Sequence, residues 1–276
     1  MKLNNIYPQR NPWTHKGEHG YLLVLAGSKR YSGSPIFNAV SALRAGADLV
    51  CCLGPKRAMD IAATFLPDMI CHPLSGDILR PKDVPYILDL AKNFDSIVLG
   101  SGLGRAPETF KALQEIIEKT ELPVVIDADG IRALAQKKRI IKGKSVVLTP
   151  HIVEFEILTG KIVRPEVKDR KMKVKEMAKI LSCTILLKGH IDVISDGKRV
   201  ALNKTGSPYM TKGGFGDTLS GILGALLARK IKPFEAARAA AFINGKAGEK
   251  AAKKYGEGTL ASDIFEFIPK AIKSTF

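Results

Sequence analysis

Cysteine is scarce in this sequence, which has four cysteines among 276 residues. None of them belongs to a C-x-x-C pair or to another spacing that is typical of metal ligands. This scarcity argues against a small secreted protein held together by disulfides. The four cysteines occur in apolar or strand-like segments, so we interpret them as reduced core thiols of a cytoplasmic protein: Cys51, Cys52, Cys71 and Cys183.

Long apolar runs are also absent from the sequence. No segment approaches the roughly 18 apolar residues that a membrane-spanning helix requires. The first twenty residues, MKLNNIYPQRNPWTHKGEHG, contain no apolar region of the kind that signal peptides carry. We therefore expect a protein that is neither secreted nor inserted into a membrane.

Acidic residues are few relative to basic ones, since 27 Asp and Glu stand against 43 Lys and Arg and give a formal net charge of +16. Such a charge attracts polyanions, including nucleotides and nucleic acids. Stretches such as VKDRKMKVKEMAK, however, mix both signs at helical spacing and lack aromatic residues for stacking on bases. We interpret this stretch as a solvated helix face and predict no nucleic-acid partner.

Short β-rich segments alternate with helical patterns along the chain. These segments are YLLVLAG, DLVCCLG, SIVLGSG, LPVVIDADG, KSVVLTP and TILLKG. Apolar strands that alternate with helices predict an α/β fold with a central, mostly parallel sheet flanked by helices on both faces. The later DVISDGKRVALN segment predicts a hairpin that turns at Asp196 and Gly197, and hence an antiparallel edge. Since no linker or repeat divides the chain, we expect a single domain over residues 1–276.

Three glycines and one carboxylate precede a long apolar helix in TKGGFGDTLSGILGALLARK. Unpaired N–H groups and the positive end of the helix dipole favour an anion at such a terminus. Gly213, Gly214 and Gly216 let phosphate oxygens approach the backbone closely. Asp217 has two interpretations, a reactive group beside a bound phosphate or an N-cap that contributes about 1 kcal/mol to helix stability.

Other candidates follow the ends of further strands, where open α/β sheets bind ligands. The glycine-rich turns GSKRYSGSP and SGLGR either form part of one phosphate-rich site or only fit the backbone. Asp127 and Asp129 either hold Mg2+ or cap the next helix. His151 is expected in an exposed turn, as a ligand contact or as an ordinary surface residue. Lys188 offers a point charge to a phosphate.

Taken in order, these motifs resemble the ribokinase-like superfamily and, within it, the nucleotide-dependent NAD(P)HX dehydratase family. The resemblance extends over nearly the whole chain, from GYLLVLAGSKRYSGSP through GSGLGR, VVIDADG, VLTPHIVEFEIL and LLKGHIDVI to NKTGSPYMTKGGFGDTLSGILGALLA. It implies an ADP-dependent (S)-NAD(P)H-hydrate dehydratase, a repair lyase that restores NADH or NADPH and releases AMP and phosphate. ATP is the alternative phosphoryl donor, and Mg2+ is the implied cofactor.

The resemblance also implies roles for individual residues. The glycines before Asp217 would form an anion hole for the transferred phosphoryl group, and Asp217 would accept the proton of the substrate hydroxyl. The implied catalytic residues are Asp217, Gly214 and Gly216. The residues implied to bind the hydrated dinucleotide are Ser34, Gly102, His151 and Asp217. Those implied to bind the adenine nucleotide are Lys188, Gly189, His190, Ile191, Asp192 and Gly216.

Partners follow from the same resemblance. Many family members carry an N-terminal epimerase domain, and the first strand predicted here begins near Tyr21. We therefore expect the epimerase to be a separate polypeptide. The family also implies a homo-oligomer, with a tetramer as one form.

The sequence departs from the family pattern at three places. Phe215 replaces a small polar residue of Gly-Gly-Thr-Gly-Asp and is expected to narrow the nucleotide side of the anion hole. The usual Pro-Gly after His151 is missing, and Ser101 stands where Pro is common. Two alternative functions stay open: a ribokinase-like kinase for a vitamin, sugar or nucleoside, and a nucleotide-binding sensor or scaffold that has lost turnover.

Overall fold

The computed structural model describes residues 3–274. Within that part of the chain the strands are β1 (Tyr21–Leu25), β2 (Leu49–Pro55), β3 (Ile70–Leu74), β4 (Ser96–Leu99), β5 (Val124–Ile126), β6 (Val146–Leu148), β7 (Thr184–Leu187), β8 (Asp192–Ser195) and β9 (Val200–Asn203). The helices are α1 (Gly33–Arg44), α2 (Lys56–Ala63), α3 (Val84–Ala91), α4 (Pro107–Lys119), α5 (Ala128–Ala135), α6 (Ile152–Thr159), α7 (Val167–Leu181), α8 (Phe215–Ala228), α9 (Pro233–Tyr255) and α10 (Phe267–Lys273).

The strands form one sheet with the order β3-β2-β1-β4-β5-β6-β7-β8-β9. Every pairing from β3 through β7 is parallel, and the pairings of β7 with β8 and of β8 with β9 are antiparallel. The predicted mostly parallel sheet is therefore confirmed, and the hairpin at Asp196 and Gly197 forms its antiparallel edge as predicted.

Helices cover both faces of the sheet, because alternate residues of each central strand face opposite sides. In β1, Leu22 and Val24 belong to a buried cluster shared with α1, α8 and α9, whereas Leu23 and Leu25 belong to a second cluster shared with α4, α5 and α6. All four side chains are completely buried. A strand buried on both faces has no polar alternation, which explains the continuous apolar runs in the sequence.

Strand β3 was not among the strands predicted from the sequence. It pairs with β2 alone and forms the outer edge of the sheet, and most of its residues are exposed or partly exposed. Proline is tolerated at such an edge because its missing N–H has no ladder partner to satisfy, and β3 contains Pro73. A short, half-polar strand with a proline does not show the apolar pattern by which the other strands were recognised.

Among the helices within residues 3–274, none combines the length and the hydropathy needed to span a bilayer.

Candidate functional site

The turns that carry the candidate residues meet at the carboxyl edge of the parallel strands. The chain runs from β1 outward to β2 and β3 and then returns to place β4 on the other side of β1. The strand order therefore reverses between β1 and β4, and open α/β sheets bind ligands outside the carboxyl ends at such a point. The turns that follow β1 and β4 lie where a ligand is expected.

These two turns contact each other. The N–H of Gly27 donates to the carbonyl of Ser101 over 2.9 Å. Gly102 has a φ of +66°, and a Cβ at this position would stand 2.7 Å from the Ser34 hydroxyl and 2.8 Å from the Tyr31 Cβ. Glycine is needed there because any side chain would overlap the neighbouring turn. Ser34 and Gly102, the two turn residues predicted to bind substrate, are thus direct neighbours.

The N-terminus of α8 contains the glycines and Asp217. The N-cap of this helix is Gly214, with a left-handed φ of +98°, and the helix begins at Phe215. Asp217 is therefore its third residue, and within the described part of the chain no side chain caps the helix. The N-cap interpretation of Asp217 is wrong. The N–H groups of this first turn have no side-chain cap among the described residues, so the predicted anion site stays a prediction for this helix terminus.

The Phe215 side chain packs into the core. It is 5% exposed and belongs to the apolar cluster formed by α1, α8 and α9. Its carbonyl accepts a hydrogen bond from the Thr218 hydroxyl over 2.9 Å, which helps to fix the first turn. The expectation that Phe215 narrows the anion hole is wrong, because the helix directs this position inward.

Asp217 is partly buried, and its pKa is raised from the ordinary value of 3.8 to about 7. Burial is the main cause, and the negative charge of Asp127 adds to it. The hydroxyls of Ser34 and Ser101 and the charge of Lys188 act in the opposite direction. A carboxyl group with a pKa near neutrality is well matched to accepting a proton from a hydroxyl group.

A second polar group comes from the ends of β5, β6 and β7. The Lys188 Nζ lies 3.0 Å from Asp127 Oδ1 and 4.0 Å from Glu154 Oε2. The Thr149 hydroxyl donates to the same Asp127 oxygen over 2.8 Å. Burial lowers the pKa of Lys188, but the charges of Asp127 and Glu154 outweigh it and raise that pKa. Lys188 is therefore a cation at neutral pH, held by two carboxylates.

Gly216 lies between Asp217 and the polar group formed around Lys188. A Cβ at this position would stand 3.4 Å from Lys188 Nζ and 3.9 Å from Asp127 Oδ2. The first turn of α8 thus presents Gly216 toward Lys188, while Asp217 lies near enough to the hydroxyls of Ser34 and Ser101 for them to lower its pKa. This arrangement separates a cationic side from a hydroxyl-rich side, with the helix terminus between them.

Of the two aspartates predicted as possible Mg2+ ligands, Asp127 fits a magnesium ion better than Asp129. Mg2+ usually keeps several waters and binds through one or two carboxylates together with substrate phosphates. Asp127 Oδ2 faces Gly216, and its side chain caps no helix within residues 3–274. In the same part of the chain, no group of three or more His, Cys, Asp or Glu side chains could hold a metal ion. A bound phosphate would have to complete the coordination.

Asp129 has a different environment from Asp127. Its carboxylate accepts the N–H of Gly104 over 2.9 Å and the Nε–H of Arg105 over 3.2 Å. Asp129 therefore orders the turn after β4, and the two aspartates do not form one metal site.

His151 is the N-cap of α6. Its Nδ1 accepts the N–H of Glu154 over 3.3 Å, and the Glu154 carboxylate accepts the N–H of His151 over 2.9 Å. The expected exposed turn is present, because about half of the His151 side chain is accessible. Glu154 also lies beside Lys188, so this capping pair connects His151 to the cationic side of the site.

The segment from Lys188 to Asp192 comprises the turn between β7 and β8 and the first residue of β8. Gly189 N–H donates to Asp192 Oδ1 over 3.0 Å, which closes the turn on itself. Arg170 of α7 donates to the Lys188 carbonyl over 3.1 Å and is 4% exposed, so α7 is not a wholly solvated face. Burial raises the pKa of Asp192. All five residues of this segment, Lys188 to Asp192, are exposed or partly exposed.

The sequence pattern of the NAD(P)H-hydrate dehydratase family matches residues 22–270. The chain belongs to this family. The matched region contains every predicted site residue, from Ser34 to Asp217.

Curated members of the dehydratase family include close relatives of this chain. It is 44% identical over 260 residues to the bifunctional NAD(P)H-hydrate repair enzyme Nnr of Pyrobaculum aerophilum, which covers 94% of this chain and 51% of that protein. It is 39% identical over 273 residues to the ADP-dependent (S)-NAD(P)H-hydrate dehydratase of Cenarchaeum symbiosum, which covers 98% of this chain and 94% of that protein. The chain thus spans about half the length of its bifunctional relatives.

A solved member of the family has the same fold. The ADP/ATP-dependent NAD(P)H-hydrate dehydratase of Bacillus subtilis, co-crystallised with ATP and Mg2+, superposes with a TM-score of 0.83 at 26% identity. The match covers 99% of this chain and 96% of that chain. The predicted ribokinase-like fold is therefore confirmed.

The mutual contacts of three residues of the candidate site were not predicted from the sequence. Asp127 was considered only for Mg2+ or for capping, and Thr149 and Glu154 were given no role. Their signal was positional, since Asp127 and Thr149 directly follow the strands β5 and β6 and Glu154 lies three residues after the N-cap His151. Asp127 and Glu154 lie beside Lys188, and Thr149 donates a hydrogen bond to Asp127. These contacts depend on how the strands are aligned in the sheet, so the sequence alone does not predict them.

Proposed function

We propose that this protein is an ADP-dependent (S)-NAD(P)H-hydrate dehydratase, which restores NADH or NADPH and releases AMP and phosphate. The observation that carries the proposal is the first turn of α8. There, Gly216 faces the Lys188 cation, and the hydroxyls of Ser34 and Ser101 lie near enough to Asp217 to lower its pKa. A phosphoryl donor on the first side and a hydroxylated acceptor on the second would meet at one helix terminus.

Asp217 accepts the proton of the substrate hydroxyl as that oxygen takes the phosphoryl group from the nucleotide. Its raised pKa places the change between acid and base close to neutral pH. The N–H groups at the N-terminus of α8 stabilise the charge on the phosphoryl oxygens during transfer. The phosphorylated ring then loses phosphate and a proton, and the double bond of the reduced nicotinamide is restored.

The positions of the two substrates are assigned from the family resemblance. Ser34, Gly102 and His151 contact the hydrated dinucleotide, and the turn from Lys188 to Asp192 contacts the adenine nucleotide. Lys188 holds a phosphate as a point charge. Asp127 would hold Mg2+, which supplies charge neutralisation on the donor phosphates when bound.

Several finer points belong to the same proposal. ADP is the expected donor, since the Cenarchaeum symbiosum relative is named ADP-dependent, and ATP is the alternative. A separate epimerase, a homo-oligomeric state with a tetramer as one form, and a cytoplasmic location stay predictions from the family resemblance.

The test is an assay of purified protein with hydrated NADH, Mg2+ and either ADP or ATP. We expect recovery of the near-ultraviolet absorbance of NADH with ADP, accompanied by AMP and phosphate in equal amounts. Hydrated NADPH in a parallel assay measures the preference between the two dinucleotides. A stable phosphate ester in place of NADH would identify a small-molecule kinase, and nucleotide binding without any product would identify a sensor.

A further inference from the structure

Two cysteines of the chain face each other across neighbouring strands. Cys52 of β2 and Cys71 of β3 are register partners in a parallel pairing. Both side chains belong to the apolar cluster on the α1 side of the sheet, whereas Cys51 belongs to the cluster on the opposite side. The Cys52 thiol donates to the Pro35 carbonyl over 3.7 Å, and each of the four cysteines is a free thiol.

The spacing of this pair fits a covalent bond between the sulfur atoms. Neighbouring strands lie about 4.7–4.9 Å apart, and disulfides join Cα atoms separated by about 4.4–6.8 Å. Register partners in a parallel pair also point to the same face, so the two thiols approach each other without a change in the backbone path. We propose that Cys52 and Cys71 form a reversible disulfide that fastens the edge strand β3 to the sheet.

The two thiols have unequal access to an oxidant. Cys71 is partly exposed and Cys52 is completely buried, so Cys71 is the sulfur that a soluble oxidant reaches. The neighbouring Cys52 thiol lowers the pKa of Cys71, which favours its thiolate. Cys51 and Cys183 are buried and their pKa values are raised by burial, so they are poor competitors.

A small disulfide such as oxidised glutathione supplies the oxidising equivalents. The Cys71 thiolate attacks one of its sulfurs, forming a mixed disulfide and releasing one glutathione thiolate. Cys52 then loses its proton and attacks the Cys71 sulfur, and the second glutathione leaves as a thiol. Two protein thiols are thereby oxidised to one disulfide while one oxidant disulfide is reduced to two thiols.

The bond would act on one of the two edge strands of the sheet. β3 pairs with β2 alone, and the chain between Cys52 and Cys71 contains α2 and the turn that leads into β3. Closing this segment into a covalent loop restricts the unfolded chain. We expect oxidation to raise the melting temperature by on the order of 5 °C.

The experiment equilibrates the full-length protein with a glutathione buffer of stepped redox ratio and measures intact mass and peptide linkage. The expected product is a protein lighter by two hydrogen atoms, with Cys52 linked to Cys71, that returns to its original mass in reductant. Its melting temperature should lie above that of the reduced form. Cys71→Ser should abolish both changes, and the matched control Cys183→Ser should preserve both.

Three outcomes would overturn the proposal. The mass could stay unchanged across the oxidising range, or the chain could gain only a glutathionyl group at Cys71. The linkage could also join Cys71 to Cys51, which would show that the bond forms after local unfolding. Because Cys71 is partly exposed, its serine variant is expected to fold, and the circular dichroism of its reduced form checks this.

Discussion

Asp217 occupies a position that is unfavourable for an ionised carboxylate. The group is partly buried and close to a second carboxylate, Asp127, and both effects raise its pKa to about 7. At neutral pH the protein therefore favours neither the protonated nor the ionised form of Asp217 strongly. A general base benefits from this balance, because it must be ionised before the proton transfer and protonated after it.

Replacing Asp217 by Asn should stabilise the protein at alkaline pH. The folded pKa of about 7 lies above the ordinary 3.8, so the native state binds more protons and wild-type stability falls as pH rises through this interval. The full shift, in which the attraction to Lys188 is already included, corresponds to about 4 kcal/mol, and solvent screening of this partly exposed group reduces it. We expect the free energy of unfolding of Asp217→Asn to exceed that of the wild type by about 2 kcal/mol at pH 8 and to differ little from it near pH 4.

Urea denaturation of both proteins at the two pH values measures this difference. An equal effect at both pH values would show that the carboxylate does not titrate near neutrality in the folded state.

At the scale of elements, α1 and α8 set the geometry of the site. Ser34 lies in the first turn of α1 and Asp217 in the first turn of α8, so the packing of these helices fixes the distance between them. The helices approach closely at Gly221, where a Cβ would stand 2.1 Å from the Asn38 carbonyl. Gly221 is therefore required by the packing of α8 against α1.

Gly221→Ala should destabilise the protein although alanine favours helices. The added methyl group meets the backbone of α1 and forces the two helices apart, at a net cost of about 2 kcal/mol. Activity should fall as well, since Ser34 and Asp217 move with their helices. Thermal unfolding and the dehydratase assay measure both effects. Gly258→Ala is the matched control, because no atom lies within 4 Å of a Cβ there, and equal behaviour of the two variants would contradict the packing argument.

The strands and the hairpin could be predicted from the sequence because each carries its own local signal. β3 could not, since an edge strand with Pro73 and exposed residues lacks an apolar run. The glycines and Asp217 of α8 were predictable as a motif. The contact of Lys188 with Asp127 was not, because it depends on the alignment of β5 with β7, which have β6 between them. The inward direction of Phe215 likewise depends on how α8 packs.

At the scale of the whole molecule, the sheet places a cationic region and a hydroxyl-rich region on either side of the N-terminus of α8. The end of β7 supplies a cation and the ends of β1 and β4 supply hydroxyls, so a single sheet orders donor and acceptor along its edge. The charge of +16 is a property of the entire chain. The single-domain organisation of residues 1–276 stays a prediction.

The net charge should produce only weak, salt-sensitive binding of nucleic acid. We expect DNA oligonucleotides of different sequence to bind alike at low salt and to dissociate at about 0.2 M salt, because dispersed lysines neutralise phosphates without reading bases. Fluorescence anisotropy over a salt series measures this. Binding that persists above that concentration and distinguishes sequences would contradict the prediction that nucleic acid is not a partner.

The central claim is that Asp217 acts as the base beside the glycine anion site. Its most direct test compares wild type with Asp217→Asn in the recovery of NADH from its hydrate, with ADP binding to both proteins measured by calorimetry. The account predicts a loss of at least about 100-fold in kcat for the variant, the lower end of general-base contributions, with ADP affinity retained. A variant that keeps most of the wild-type rate would contradict the assignment of Asp217 as the base.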